Sequence, residues 1–143
     1  FSALMENRRA SAVEVAAFKD IFSLEAALRI LIGEALKAEF GDNWHETILP
    51  ECGCKDLLGK HQKRGGTPLD HADWAHLLLL VRYPKVFIAV FSRGFDAHND
   101  LVLSFAFVAE LRRAPMHAKK ITQSQLMELK ARVRFIQAGC DRL

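Results

Sequence analysis

The sequence predicts an all-α fold, a helical bundle of four to five principal helices. Three observations predict it. Apolar residues recur at three- and four-residue spacing in the stretches 23–40, 98–113 and 122–139, which marks one buried helix face in each. Capping residues and helix breakers bound those stretches. The one run rich in β-branched and aromatic residues, Lys85 to Phe91, has no second such run to pair with.

The elements follow in order. Residues 1–19 mix small, apolar and charged side chains and read as an N-terminal arm or short helix, ahead of a helical domain over 20–143. Residues 23–40 form the clearest helix, with Ser23 as cap and Leu24, Ala27, Leu28, Leu31, Ile32, Ala35, Leu36 and Phe40 on the buried face. Glu25 and Arg29, four apart, are expected as a pair on its wet side. Gly41 suits the left-handed residue after a helix. A short helical turn over 42–49 carries Trp44 and Ile48, is capped by Asp42 or Asn43 and is stopped by Pro50. A further short helix near 55–63 precedes a Gly65-Gly66-Thr67-Pro68 loop.

The next helix is expected over 70–82, with Asp70 as cap and Asp73 as the third residue of a weak capping box. Pro84 opens a short helix or extended bend over 85–91, and Gly94 a turn over 93–97. A strongly apolar helix then runs from His98 or Asn99 to Arg112 or Arg113. Leu101, Val102, Phe105, Val108, Ala109 and Leu111 are its core residues, and Pro115 limits its end. Thr122 and Gln125 form a capping box for the last helix, whose buried stripe is Leu126, Leu129, Val133 and Ile136 and whose end is placed at Gly139.

Composition narrows the function classes. A chain of 143 residues suits one domain. Half of it is hydrophobic, which favours collapse over disorder. The most apolar stretch, Leu77 to Ser92, is interrupted by Arg82, Pro84 and Lys85, so no membrane span is expected there. Three cysteines make a poor disulfide framework and point to a reducing, cytoplasmic setting. The chain begins at Phe1 without Met, and is expected to be a processed form or a segment of a longer protein.

The net charge of +3 is too small to announce a nucleic-acid binder, so position matters more than the total. Arg112, Arg113, Lys119 and Lys120 crowd with His117 into nine positions between the last two helices. Cations at a helix C-terminus complement its dipole, which makes a cap and solvated loop the plain reading. The functional reading is a phosphodiester site. Arginine offers a fork that fits phosphate oxygens, and a histidine moves protons near neutral pH.

The spacing Arg112-x4-His117, after an apolar helix and before "KKIT" and a final helix, resembles the HEPN domain superfamily, and within it the Swt1-like group. "LEAALRILIGEALKAEFGDNW" is similar to that group's opening helix, and "WAHLLLLVRYPKVFIAVF" to its middle. The likeness covers roughly residues 20–137. Arg-x4-His alone occurs by chance about half a time in a chain of this composition. A second copy, Arg93-x4-His98, sits in a turn before a helix and reads as a decoy, so the order of elements carries the resemblance.

The resemblance implies an all-α fold that dimerises with its Arg-x4–6-His motifs facing across the seam. In catalytic members that composite site is a metal-independent endoribonuclease, in which the 2′-hydroxyl attacks the adjacent phosphate. The products carry 2′,3′-cyclic phosphate and 5′-hydroxyl ends. On this sequence it assigns Arg112 to the phosphate and His117 to acid/base work, with Arg113, Lys119 and Lys120 as further phosphate contacts, no cofactor and no metal. Active members often carry a polar residue such as Asn after the motif Arg. Here Arg113 stands there, and it cannot accept a hydrogen bond. Pro115 also bends the chain inside the motif. The expected role is therefore an RNA-associated dimerisation or interaction module, with RNA, a second copy and other domains of a larger RNA-surveillance or phage-defence protein as partners. The endoribonuclease is the alternative.

Other side chains read as structural. His71 and His76 are five apart, a poor spacing for two ligands on one helix face. His45, Cys52, Cys54 and His61 form a weak zinc pattern, since a lone C-x-C lacks a second pair. Trp44 and Trp74 read as core or interface aromatics, and the basic run 55–64 as a solvated face.

Overall fold

A computed structural model describes residues 1–8, 12–113 and 121–143. Every regular element among them is helical, as the apolar periodicity predicts. The order is α1 (Ser2–Arg8), α2 (Ala12–Phe40), α3 (Trp44–Glu51), α4 (Lys55–Arg64), α5 (Trp74–Arg82), α6 (Pro84–Val86) leading into a π-helical turn (Phe87–Phe91), α7 (His98–Arg112) and α8 (Gln123–Asp141).

Helix α2 starts eleven residues before Ser23, so Ser23 is an exposed mid-helix residue and not a cap. No breaker interrupts 12–23, and Ala17 and Ile21 continue the buried stripe of Leu24, Leu28, Ile32 and Leu36. Residues 12–19 therefore belong to the same helix as 20–40. Ala27 and Phe40, expected inside, are exposed. Pro50 lies within the last turn of α3, which closes one residue later. Helix α8 likewise passes Gly139 and ends at Asp141.

Helix α5 starts at Trp74, four residues later than expected. Its cap is Asp73, whose side chain accepts from His76 N–H, while His76 Nδ1 accepts from Asp73 N–H at 3.0 Å. Asp70 instead closes the preceding turn, accepting from Thr67 N–H at 2.9 Å. The 85–91 segment is helical. Ser92 N–H reaches back five residues to Phe87 O at 3.0 Å, which widens that turn to a π-helix and buries Phe87, Val90 and Phe91.

Helix α7 lies between α5 and α8, and α2 packs on α8 and the π turn. Trp74 stacks on Phe105 at 5.0 Å between ring centroids, and its indole N–H donates to Phe105 O at 2.9 Å. The Thr122–Gln125 capping box forms as the sequence predicts. A cap contributes about 1 kcal/mol. The four buried apolar side chains of α8 (Leu126, Leu129, Val133, Ile136) contribute roughly 1.5–3 kcal/mol each. Packing, not capping, holds α8 in place.

Among the described residues no single helix is long and apolar enough to cross a membrane. The bent pair α5 and Pro84–Phe91 passes a composition test only when taken together, across an 84° bend. Trp74, Leu77, Leu80, Val81 and Phe91 of that pair are buried in the core.

Candidate functional site

Arg112 is the last residue of α7. The helix turns Leu101, Phe105, Val108 and Leu111 into the core, and Arg112, one residue beyond Leu111, emerges against α2. Its Nε donates to Glu25 Oε2 at 3.0 Å. The other oxygen of that carboxylate accepts from Arg29 Nη2 at 2.8 Å. Glu25 is 2% exposed. It is therefore a buried carboxylate with one arginine on each oxygen, not the solvated member of a surface pair.

The physical reason lies in the register of α2. Ile21, Glu25, Leu28 and Ile32 follow at spacings of four, three and four, so Glu25 falls within the inward stripe. A buried carboxylate needs a charged, hydrogen-bonding partner, and α7 supplies it from 87 residues away. The signal in the sequence was a lone Glu in an apolar stripe.

The Arg112 guanidinium also lies over the Phe22 ring, 5.6 Å from its centroid. Phe22 is 58% exposed and Ile30, two turns further along α2, is 63% exposed. With the exposed Ala26 between them they form an apolar strip beside Arg112. Arg113 follows as an exposed residue at the C-cap of α7. His117, Lys119 and Lys120, and the bend expected at Pro115, lie outside the described residues.

The remaining histidines divide clearly. His76 spends Nδ1 on the Asp73 N–H, so its proton sits on Nε2, which donates to Asp56 Oδ2 at 2.8 Å. The hydrogen bond from His76 holds the Asp56 carboxyl below its ordinary value. Both ring nitrogens are engaged: Nδ1 closes the α5 capping box and Nε2 ties α5 to α4. His98, in the Arg93-x4-His98 copy, donates from Nε2 to Val81 O at 2.6 Å and stacks on Phe87 at 4.3 Å. It is a structural pin.

Trp44 and Trp74 are buried core residues, 3% and 1% exposed. Lys55, Lys60, Lys63 and Arg64 of α4 are solvated, while His61 turns inward. Its ring meets His45 edge-on at 4.9 Å. The Cys52 thiol is held below its usual value by a hydrogen bond with Cys54, which pushes Cys54 up in turn. No group of three or more His, Cys, Asp and Glu among the described residues is arranged to hold a metal ion.

Tertiary structure thus brings together Glu25, Arg29, Arg112 and Phe22, of which only Arg112 had been singled out as a site residue. Compared with models of known protein families, with curated proteins and with solved structures, the chain matches none.

Proposed function

We propose that this chain is an RNA-associated module of the HEPN type, which pairs with a second copy through the Arg112 face and works within a larger RNA-surveillance or phage-defence protein. The observation that carries the reading is the contact of Arg112 with exposed Phe22. A guanidinium fixed at Nε by a buried carboxylate stands at the edge of an apolar strip that faces solvent. A two-fold copy seated there covers Phe22 and Ile30 and brings two Arg112–Arg113 pairs to one seam. Two modest surpluses of +3 then become a single basic surface for phosphates. The Swt1-like resemblance supplies the remainder of the reading, including the phosphate roles of Arg113, Lys119 and Lys120.

One observation favours the endoribonuclease as the second reading. Glu25 restrains Arg112 through Nε, and that bond leaves the two terminal amino groups to other partners. A cation oriented in advance is what stabilises charge on a pentacoordinate phosphate. His117 is the acid/base of that reading, and no cofactor enters it.

Sedimentation and RNA assays test both. The wild-type chain sediments as a dimer and Phe22→Glu as a folded monomer. RNA affinity falls steeply with added salt, and Arg113→Ala reduces that slope by about one phosphate contact. Cleavage of single-stranded RNA in EDTA, abolished by His117→Ala, establishes the nuclease. Equal inertness of both proteins, with dimerisation and RNA binding retained, establishes the binding module. A monomer with no affinity for RNA overturns both.

A further inference from the structure

A second site is visible away from the α7 terminus. The C-terminal half of α2, the start of α3, the inward side of α4 and the 66–70 loop enclose a cleft of about 570 Å³. That size is within the range of small-molecule sites. Three buried side-chain nitrogens among the described residues have no hydrogen-bond partner: Arg29 Nε, His45 Nδ1 and His61 Nδ1. All three belong to residues that line this cleft. Buried polar atoms are nearly always paired, so three orphans on residues that line one cleft point to a ligand.

Their chemistry restricts what that ligand is. Arginine Nε can only donate, and an imidazole nitrogen donates once it carries a proton. A group that serves all three must accept several hydrogen bonds at once, as an oxyanion does. The two imidazoles meet at 4.9 Å between centroids, close enough to share one such group.

We propose that this cleft binds a small molecule through an oxyanion, a carboxylate or a phosphate group, held by Arg29, His45 and His61. Each of the three nitrogens is buried, so binding requires a change of side-chain rotamer that brings it to the ligand. The site does not depend on the function proposed above, although Arg29 touches both through its bond to Glu25.

The charges around the cleft make binding depend on pH. Lys37 lies 3.8 Å from Asp42, and Asp70 is occupied by Thr67. Arg29 shares the single negative charge of Glu25 with Arg112, so one positive charge of that trio is left over. Glu34 lines the wall, and Glu46 beside His45 adds negative charge. Protonation of an imidazole adds to the positive charge that an anion needs. Burial, and then the neighbouring His61, depress the proton affinity of His45. A bound anion offsets that second cause, so binding takes up a proton. Affinity falls by up to about tenfold per pH unit for each proton linked.

The test is a titration of the whole chain with inorganic phosphate and, separately, with acetate, read on the imidazole nitrogen resonances of His45 and His61 at about pH 6 and about pH 8. The expected result is a saturable shift of both rings, tighter at the lower pH and retained in His117→Ala, while the heat of binding measured by calorimetry is lost in His45→Gln/His61→Gln. Should the double variant fail to fold, His61→Gln alone weakens binding. Saturation by phosphate alone identifies a phosphoryl ligand, and by acetate alone a carboxylate. A shift that never saturates, or calorimetric binding retained in the His variants and lost in His117→Ala, overturns the proposal.

Discussion

The Nε of Arg112 donates to Glu25 Oε2 at 3.0 Å, joining the end of α7 to the middle of α2 across 87 residues of sequence. The same carboxylate holds Arg29 by its other oxygen. A residue singled out for phosphate chemistry thus has a structural bond of its own. The two roles are compatible, because the bond to Glu25 uses Nε alone.

The first prediction concerns that bond. Arg112→Ala leaves the buried Glu25 carboxylate with only Arg29. Leaving a buried charge wholly unpaired costs about 3–5 kcal/mol. One remaining arginine lowers the expected loss to roughly 1.5–3 kcal/mol, the range for a hydrogen bond to a charged group. Glu25→Gln removes the charge itself, so the double variant Glu25→Gln/Arg112→Ala loses less than the two single losses added together. Urea denaturation of the four proteins measures this coupling. Strict additivity shows that the contact contributes nothing to the fold.

The second prediction rests on the close approach of Gly94 and Gly139. A methyl group at Gly139 would run into the Phe95 ring, and one at Gly94 into the Gly139 carbonyl. Gly139 lies in α8, where Ala for Gly ordinarily stabilises a helix by about 0.8–1 kcal/mol. Here overpacking of about 1–3 kcal/mol or more wins, because Phe95 is 3% exposed and enclosed. Gly139→Ala lowers the melting temperature, and Phe95→Leu in that background recovers part of the loss. A rise in melting temperature for Gly139→Ala alone shows that the Phe95 ring moves freely.

These contacts explain which features the sequence disclosed. The Thr122–Gln125 box was readable because both partners lie within one turn and need nothing from elsewhere. The buried stripes of α7 and α8 were readable because their period is intrinsic to the helix. The start of α2 was not. A good cap at Ser23 outweighed the plain absence of a breaker before it, and Ser23 is instead an exposed residue within α2. In the sequence Asp70 reads as the cap, with Asp73 only as the third residue of its box. The choice fell to Asp73 because Asp70 is taken by Thr67. The burial of Glu25 depends wholly on a partner from α7, which local spacing cannot show. The orphan nitrogens of Arg29, His45 and His61 come from three helices and meet only in the fold.

The third prediction concerns acid stability and the Asp70 turn. The Thr67 hydroxyl donates to one oxygen of Asp70, and the Thr67 backbone N–H to the other at 2.9 Å. These bonds, the hydroxyl first, hold the Asp70 carboxyl below its ordinary value of 3.8. A carboxylate depressed on folding adds stability that is complete above its unfolded pKa and is lost as pH falls through its folded pKa. The group is exposed, so solvent reduces its contribution to below about 1 kcal/mol. Asp70→Asn therefore destabilises the protein near neutral pH by a fraction of that amount. The difference from wild type narrows below about pH 4, once the unfolded carboxyl is protonated. Denaturation midpoints of both proteins across that range measure it. A difference that stays constant into acid shows that the bonds act through shape alone, and not through the charge of the carboxylate.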